Sequence, residues 1–310
     1  MKILVTGGAG FIASHVSDRF LELGHEVAIV DNLATGKREN LPAAALFYEI
    51  DVRDPGLDRI FAKFKPKIVV HHAAQMDVRK SVADPVYDAQ VNILGTLNLL
   101  ECARRHGVRK VIYAGTGGAM FGEAEYLPAD EAHPIQPLSP YGVSKHTVEH
   151  YLYTYKANFG MDFTVLRYPN VYGPRQDPHG EAGVVAIFSL QLLRGERPTI
   201  FGDGGKTRDY CYVSDIVEAN VLALDRGDGG LYNLGRGIEV TDYEIFAAVR
   251  AAVGSDVEPV YAPTRPGEVE HIALDARLAQ RDLGWRWQVD LPQGVALAVS
   301  FYRARLQQQD

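Results

Sequence analysis

A glycine-rich turn near the N-terminus constrains the fold of this chain more than any other sequence feature. The run Ile3–Thr6 has the apolar character of a buried strand, and the stretch 6–13 (TGGAGFIA) follows it directly. A helical pattern begins at Phe11 and ends before Gly24, where glycine is the usual residue just past a helix. Gly7 permits the tight turn that such a connection requires. A strand that passes through a glycine turn into a helix predicts the start of a βαβ unit.

The rest of the first half repeats this alternation. Near-continuously apolar runs, typical of parallel strands covered on both faces, occur at Glu26–Val30, Phe47–Val52, Ile68–His72, Val111–Ala114 and Phe163–Arg167. Helical patterns lie between them at Leu57–Phe64, Pro85–His106 and Tyr141–Phe159. This order predicts the α/β class, with a Rossmann-type doubly wound parallel sheet and right-handed crossovers.

The pattern changes after about residue 170, where proline and glycine become frequent and the alternation becomes irregular. We predict a smaller α/β C-terminal substrate-binding lobe, built from about 171–205 and 235–310. Residues 1–170, together with about 206–234, then form the Rossmann domain.

The composition narrows the possible partners. The 310 residues carry a net charge of −7 with no long run of one sign, which argues against nucleic acid because a phosphate-binding surface needs clustered Lys and Arg. No stretch of about 18 apolar residues exists, so no membrane partner is predicted. Cys102 and Cys211 lack metal-ligand spacing, and the N-terminus has the pattern of a strand rather than a signal peptide. We therefore expect reduced thiols in a cytoplasmic protein.

The turn also predicts a dinucleotide site. Gly10 lets the backbone approach a pyrophosphate at the helix N-terminus, and Asp31 stands 21 residues further on, at the end of the second strand. A carboxylate there accepts hydrogen bonds from the adenosine ribose and repels a 2′-phosphate, which favours NAD over NADP. The alternative is a plain turn acid, and Lys37 and Arg38 weaken the argument because they could meet a phosphate. Asp51, at the end of the third predicted strand, could accept a hydrogen bond from the adenine amino group or could be a plain turn residue.

A phenol and an ammonium at helical spacing mark the candidate chemistry. Tyr141 and Lys145 lie one turn apart on one helix face. A nearby ammonium favours the phenolate, so that Tyr141 can remove a proton from an alcohol; the alternative is an ordinary surface pair. Thr116 ends the fifth strand, where its hydroxyl could bridge a substrate oxygen and Tyr141, or bond only to backbone. His71 and His72 point to opposite faces of a strand, so we expect no metal.

With these residues assembled, the chain resembles the extended short-chain dehydrogenase/reductase family over nearly its whole length, and within it the UDP-galactose (UDP-glucose) 4-epimerases. The resemblance is carried by the stretches Thr6–Ile12, Asp31–Leu33, His72–Ala74, Val91–Thr96, Tyr141–Lys145, Leu166–Arg175, Gly202–Gly204 and Arg208–Tyr210. It implies that Tyr141 takes the proton of the sugar 4-hydroxyl while hydride passes from carbon 4 to NAD, and that hydride then returns to the other face of the keto sugar. NAD stays bound throughout. A homodimer through a helix pair that includes residues 141–159 is also implied.

The resemblance assigns roles to individual residues, with NAD in the Rossmann domain and a UDP-sugar against the C-terminal lobe. The implied catalytic residues are Tyr141, Lys145 and Thr116. The implied NAD contacts are Gly7, Gly10, Phe11, Ile12, Asp31, Asn32, Asp51, Val52, Ala73, Ala74, Gln75, Asn92, Tyr141, Lys145 and Tyr168. The implied substrate contacts are Thr116, Tyr141, Asn170, Arg208, Arg265 and Glu268.

Three positions depart from the family's pattern. The usual catalytic Ser or Thr position falls on Gly117, which leaves Thr116 as the candidate one residue earlier. Met120-Phe121 replaces the usual Val-Tyr, and Met76 stands where some epimerases carry a lysine that contacts the cofactor.

Other functions on the same scaffold are less well supported. The related 4,6-dehydratases need an Asp-Glu pair, and the decarboxylases a Glu, where this chain has Gly118 and Ala119. A dehydrogenase that releases NADH stays an alternative. A non-catalytic NAD-sensing protein would also share the fold, although the intact Tyr141 and Lys145 argue against it.

Overall fold

The structure is a computed structural model that describes residues 1–178, 183–264 and 269–308. Its strands are β1 (Lys2–Thr6), β2 (Glu26–Asp31), β3 (Leu46–Glu49), β4 (Ile68–His71), β5 (Lys110–Thr116), β6 (Asp162–Tyr168), β7 (Asn170–Tyr172), β8 (Thr199–Phe201), β9 (Thr207–Arg208), β10 (Tyr210–Tyr212), β11 (Gly230–Asn233), β12 (Val240–Thr241) and β13 (Val260–Ala262). Seven of them form one parallel sheet in the order β11-β6-β5-β4-β1-β2-β3. The strand order reverses between β1 and β4, so a crevice opens there at the carboxyl ends of the strands.

Helices cover both faces of this sheet. They are α1 (Phe11–Glu22), α2 (Leu57–Phe64), α3 (Val78–Ala83), α4 (Pro85–Ala89), α5 (Gly95–Arg105), α6 (Pro140–Phe159), α7 (Val184–Leu193), α8 (Val213–Leu222), α9 (Asp242–Val253), α10 (Arg277–Asp282) and α11 (Leu291–Gln307). None of the helices in the described part of the chain has both the length and the apolar character that crossing a bilayer requires.

The strands bury alternate side chains in two apolar layers. On β1, Ile3 and Val5 pack in one layer, while Leu4 packs in the other together with Val69 and Val111 of the neighbouring strands. Burial on both faces explains why the strands are apolar throughout instead of alternating. The predicted doubly wound parallel sheet is confirmed.

Two predicted elements have the wrong bounds. The third strand ends at Glu49 and does not reach Val52, because the Asp51 side chain accepts a hydrogen bond from the backbone N–H of Arg53 (2.8 Å) and turns the chain. The single helix predicted over Pro85–His106 is three elements: α4, a π-helical segment at Gln90–Leu94, and α5. The pattern also missed α3, whose N-cap is Asp77.

The chain beyond residue 170 contributes to the large sheet and to smaller ones. β11 pairs with β6, and α8 packs against α1. Three two-stranded sheets (β7 with β10, β8 with β13, β9 with β12) form the remainder with α7, α9 and α11. The division into domains at about residues 170, 206 and 234 stays a prediction.

Candidate active site

The glycine turn lies at the switch point, between β1 and the segment that follows β4. Gly7 has a φ of 71°, and a Cβ there would stand 2.8 Å from the backbone nitrogen of Ala73. Gly10 is the N-cap of α1 and has no side chain to cap the first-turn N–H groups, and the first turn (which includes Phe11 and Ile12) carries no acidic residue. Uncapped N–H groups at a helix N-terminus favour a phosphate. The turn therefore fits the pyrophosphate of NAD.

Asp31, at the end of β2, is tied to this turn. Its carboxylate accepts hydrogen bonds from the backbone N–H groups of Ala9 (3.0 Å) and Leu33 (2.8 Å). Burial raises the pKa of Asp31, and these two hydrogen bonds lower it in part. The nearby Lys37 and Arg38 form ion pairs with other carboxylates, Asp177 and Glu49 respectively. The Asp31 carboxylate is thus fixed next to the glycine turn. The two cations are paired with other carboxylates and not with Asp31.

The Asp51 carboxylate already accepts hydrogen bonds from two neighbouring side chains. Arg53 donates two hydrogen bonds to its carboxylate (2.8 Å each), and Asn32 donates a third through Nδ2 (2.8 Å). These contacts lower the pKa of Asp51 to about 2, with the Arg53 hydrogen bond as the largest cause. Val52 is buried next to it. The structure favours a turn-stabilising role for Asp51, and its adenine contact stays a prediction.

The two adjacent histidines at the end of β4 have different partners. His71 is hydrogen-bonded to Thr6 (2.7 Å) and Thr96 (2.8 Å), whereas His72 is hydrogen-bonded to the Tyr168 hydroxyl (3.0 Å). Burial lowers the pKa of both rings, that of His72 to about 3, so both are neutral at pH 7. No group of three or more potential metal ligands occurs in residues 1–178, 183–264 and 269–308.

The π-helical segment turns Asn92 into the interior. Asn92 Oδ1 accepts a hydrogen bond from the backbone N–H of Gln75 (2.8 Å), and Nδ2 donates to the Gln75 carbonyl (3.0 Å). The same Nδ2 lies 3.1 Å from the Ser144 hydroxyl on α6. The strand-end stretch that includes Ala73, Ala74 and Gln75 is therefore fastened to α6 through Asn92, which places these predicted NAD contacts together.

Tyr141 and Lys145 lie in the first two turns of α6, which packs against β5. The helix starts at the N-cap Ser139, whose hydroxyl accepts from the Gly142 N–H. Lys145 is 4% exposed, and its Nζ lies 4.6 Å from the centre of the Tyr113 ring. Burial lowers the pKa of Lys145 to about 8. A charged ammonium held beside Tyr141 stabilises the phenolate that a proton acceptor needs.

The structure explains why position 117 holds a glycine and not the Ser or Thr that is usual in the family. A Cβ built on Gly117 would lie 2.3 Å from Cδ1 of the fully buried Leu274, so no serine or threonine fits at this position while Leu274 stays in place. Thr116, 8% exposed, is the last residue of β5 and pairs with Tyr168 on β6. Thr116, one residue before Gly117, therefore stays the candidate for the catalytic hydroxyl.

The predicted substrate contacts are spread over two short strands. Asn170 begins β7, and its side-chain oxygen would lie 3.4 Å from a Cβ on Gly118. Arg208, on β9, donates to the Thr207 carbonyl at 2.7 Å. Arg265 and Glu268 lie outside the described residues. The Tyr168 hydroxyl is occupied by His72 and by Asn220, which donates to it at 2.9 Å.

Comparison with known proteins identifies this arrangement. Residues 3–235 match the model of the NAD dependent epimerase/dehydratase family. The chain belongs to this family. It is 45% identical, over 97% of its length and 98% of the relative, to a putative UDP-glucose 4-epimerase of Methanocaldococcus jannaschii.

Two solved structures are also similar to it. The UDP-glucose 4-epimerase of Thermotoga maritima with UDP-glucose has a TM-score of 0.97 at 49% identity, covering 99% of this chain and 100% of that one. The UDP-glucose 4-epimerase of Thermus thermophilus in complex with NAD has a TM-score of 0.94 at 49% identity, covering 98% and 99% respectively.

This epimerase/dehydratase family member also contains site residues that the sequence analysis missed. Glu149, four residues after Lys145, forms a buried two-point ion pair with Arg167 (2.9 and 2.7 Å), and His146 is hydrogen-bonded to it at 3.1 Å. Although burial raises it, the hydrogen bonds lower the pKa of Glu149 overall. Asp88, on α4, is 1% exposed and contacts Asn92. The continued i, i+4 spacing from Tyr141 to Lys145 to Glu149 was a signal that could have found the glutamate.

Proposed function

We propose that this chain is a UDP-glucose 4-epimerase, which interconverts UDP-glucose and UDP-galactose by oxidising and re-reducing carbon 4. The observation that carries this proposal is the buried Lys145 beside Tyr141, next to a loop, 117–122, that contains no acidic residue. Bound NAD supplies the hydride acceptor and then the hydride donor.

Side chains of the protein accept the proton of the sugar hydroxyl and return it. Tyr141 receives the proton of the sugar 4-hydroxyl and returns it to the same oxygen when the keto sugar is reduced from its other face. Lys145 stays charged and lowers the free energy of the phenolate, while Thr116 donates a hydrogen bond to the same sugar oxygen. Asp31 binds the ribose of NAD at the other end of the crevice.

The absence of an acid in the 117–122 loop decides between epimerisation and elimination. A 4-keto sugar loses water across carbons 5 and 6 only where an acid and a base are positioned for it. Gly118 and Ala119 supply neither, and Glu123, which follows the loop, accepts the backbone N–H of Glu270 (3.0 Å). No acid of this loop is therefore positioned for elimination, and we expect the keto sugar to be reduced back at carbon 4.

The sugar nucleotide lies between the loop and the short strands of the C-terminal lobe. Asn170 faces Gly118, and Arg208, Arg265 and Glu268 are the proposed contacts to the nucleotide. Arginine suits a diphosphate because its planar guanidinium can donate to two oxygens at once.

Incubation of the purified protein with UDP-galactose, with UDP-glucose followed by chromatography, tests the proposal. We expect conversion without accumulation of NADH. Tyr141→Phe reduces turnover at least about 10²-fold because the proton acceptor is lost, whereas Tyr153→Phe, on the same helix and 68% exposed, does not. Steady formation of NADH would instead support a dehydrogenase, and a product that has lost water would support a dehydratase.

We also propose that the protein is a cytoplasmic homodimer joined through α6. Apolar side chains are exposed there: Leu94 is 58% exposed and Val143 49%, and Val143 lines a groove of about 490 Å³ together with Ile93 and Leu138. A second copy covers such a face by presenting the same residues to it. Sedimentation should give about twice the 34.2 kDa chain mass, and Val143→Asp should shift it to one chain mass.

A further inference from the structure

A buried carboxylate that the reaction described above does not use lies below the catalytic helix. Asp88 is on α4, two residues before the π-helical segment begins at Gln90, and is 1% exposed. Its Oδ1 accepts hydrogen bonds from Gln75 Nε2 and Asn92 Nδ2, each at 3.0 Å. Its Oδ2 is buried and has no hydrogen-bond partner within the described part of the chain. A charged oxygen buried in this way is stable only when a positive charge lies close to it.

Lys145 supplies this positive charge. Asn92 Nδ2, which donates to Asp88 Oδ1 at 3.0 Å, lies 3.1 Å from the hydroxyl of Ser144, the residue before Lys145 on α6. The attraction of Asp88 is the largest influence that keeps the Lys145 ammonium charged against its burial, and Glu149 is the second. Ionisable groups act on Lys145 or lie against it from α4, from α6 itself, from the end of β4 and from β5: Asp88, Glu149, His71, His72 and Tyr113. Tyr141 precedes the lysine by one turn of α6.

Of the two carboxylates that act on the lysine, Asp88 has the larger influence. Both histidines are neutral at pH 7 because burial lowers the pKa of each. The Glu149 carboxylate is largely neutralised by its two hydrogen bonds from Arg167. The Asp88 carboxylate accepts hydrogen bonds from two neutral amides and not from a cation, which agrees with its larger influence on Lys145.

We propose that Asp88 is a positioning residue of the catalytic pair: its buried carboxylate keeps the Lys145 ammonium protonated, so that Tyr141 can act as the proton acceptor up to alkaline pH. Asn92 and Gln75 hold Asp88 in place, which gives the π-helical segment a role in the chemistry. As a statement about turnover, this inference rests on the proposed epimerase function. As a statement about the charge of Lys145, it does not.

The variant Asp88→Asn tests this charge effect with little change in shape. The asparagine keeps an Oδ1 that accepts from Gln75 and Asn92, and it replaces the unpartnered Oδ2 with an uncharged group. We expect the alkaline midpoint of the kcat profile to fall by about one pH unit. Turnover then drops about tenfold at pH 9 but less than about threefold at pH 6.5. In protein labelled with ¹⁵N at the lysine side chains, the titration midpoint of Lys145 should fall by the same amount.

Asp215→Asn is the matched control, because Asp215 is a buried carboxylate on α8 that accepts a backbone N–H from Val289 (3.2 Å) and is not among the charges that act on Lys145. It should lower the melting temperature without moving either midpoint. If Asp88→Asn does not fold, Asp88→Ser removes the same charge. Failure of both to fold, or a uniform loss of kcat at every pH, assigns Asp88 a structural role and overturns the proposal. The lysine titration decides the question even if the wild-type protein does not epimerise UDP-galactose.

Discussion

Restoring a hydroxyl at position 117 should destabilise the protein, because a buried leucine occupies the space. In Gly117→Ser the new Cβ would lie 2.3 Å from Leu274 Cδ1, 3.0 Å from Cδ2 and 3.2 Å from Cγ. Carbon atoms in contact prefer about 3.5–4.0 Å, so the leucine must retreat by about 1 Å or more. It cannot do so freely, since its backbone N–H donates to Asp209 (3.1 Å) and its side chain packs against Met120 and Phe121. Overpacking of this kind costs about 1–3 kcal/mol.

Urea unfolding of the wild type, Gly117→Ser and Gly118→Ser measures this cost. Gly118→Ser is the matched control, because a Cβ there meets nothing closer than Asn170 Oδ1 at 3.4 Å. We expect the unfolding midpoint to fall for Gly117→Ser and to stay close to the wild-type value for Gly118→Ser.

A double variant isolates the contact. Leu274→Ala alone should destabilise by about 2–5 kcal/mol, as large-to-small core substitutions do. In Gly117→Ser with Leu274→Ala the serine enters the vacated space, so the combined loss should be at least about 1 kcal/mol smaller than the sum of the two single losses. Equal midpoints for the two serine variants, or simple additivity in the double variant, would refute the steric reasoning.

Further predictions concern the hydroxyl, the cofactor and the pH dependence of folding. Thr116→Val should lower kcat about 10–100-fold and Thr116→Ser should restore most of it, since one hydrogen bond to the reacting oxygen is lost and regained; equal kcat in all three proteins would remove Thr116 from the mechanism. Asp31→Asn, which keeps one acceptor oxygen, should raise the affinity for NADP relative to NAD about tenfold in a binding titration, and an unchanged ratio would contradict the ribose contact. Burial raises the pKa of Asp209 to about 6 from 3.8, so the native state holds a proton that the unfolded chain releases between these values. The stability of the wild type relative to Asp209→Asn should therefore fall by about 3 kcal/mol as the pH rises from 3.8 to 6 in chemical unfolding, and a flat difference would show that Asp209 is ionised throughout.

Local signals in the sequence predicted most elements of the first half of the chain and the candidate site residues there. The predicted helix Tyr141–Phe159 differs from α6 by one residue, because Ser139 caps its start and Gly160 ends it with a φ of 69°. Of the six predicted strands, five have bounds within two residues of the observed ones. The third ends early because the Asp51 side chain accepts a hydrogen bond from the backbone N–H of Arg53 and turns the chain. The glycine turn, the strand-end Asp31 and the Tyr141–Lys145 spacing are likewise patterns within a few residues, which sequence periodicity can show.

Only the tertiary structure shows which side chains surround Gly117 and Lys145. Nothing near Gly117 in the sequence shows that Leu274 fills the space above it, and nothing near Lys145 shows that its counter-charge is Asp88. The π-helical segment was missed because its i→i+5 geometry follows from the burial of Asn92 against Gln75, and helical periodicity does not record it. Spacing along one helix determines how Tyr141 and Lys145 are placed relative to each other. The pKa of Lys145 and the position of the catalytic hydroxyl depend on burial and charge, which come from residues far apart in the chain.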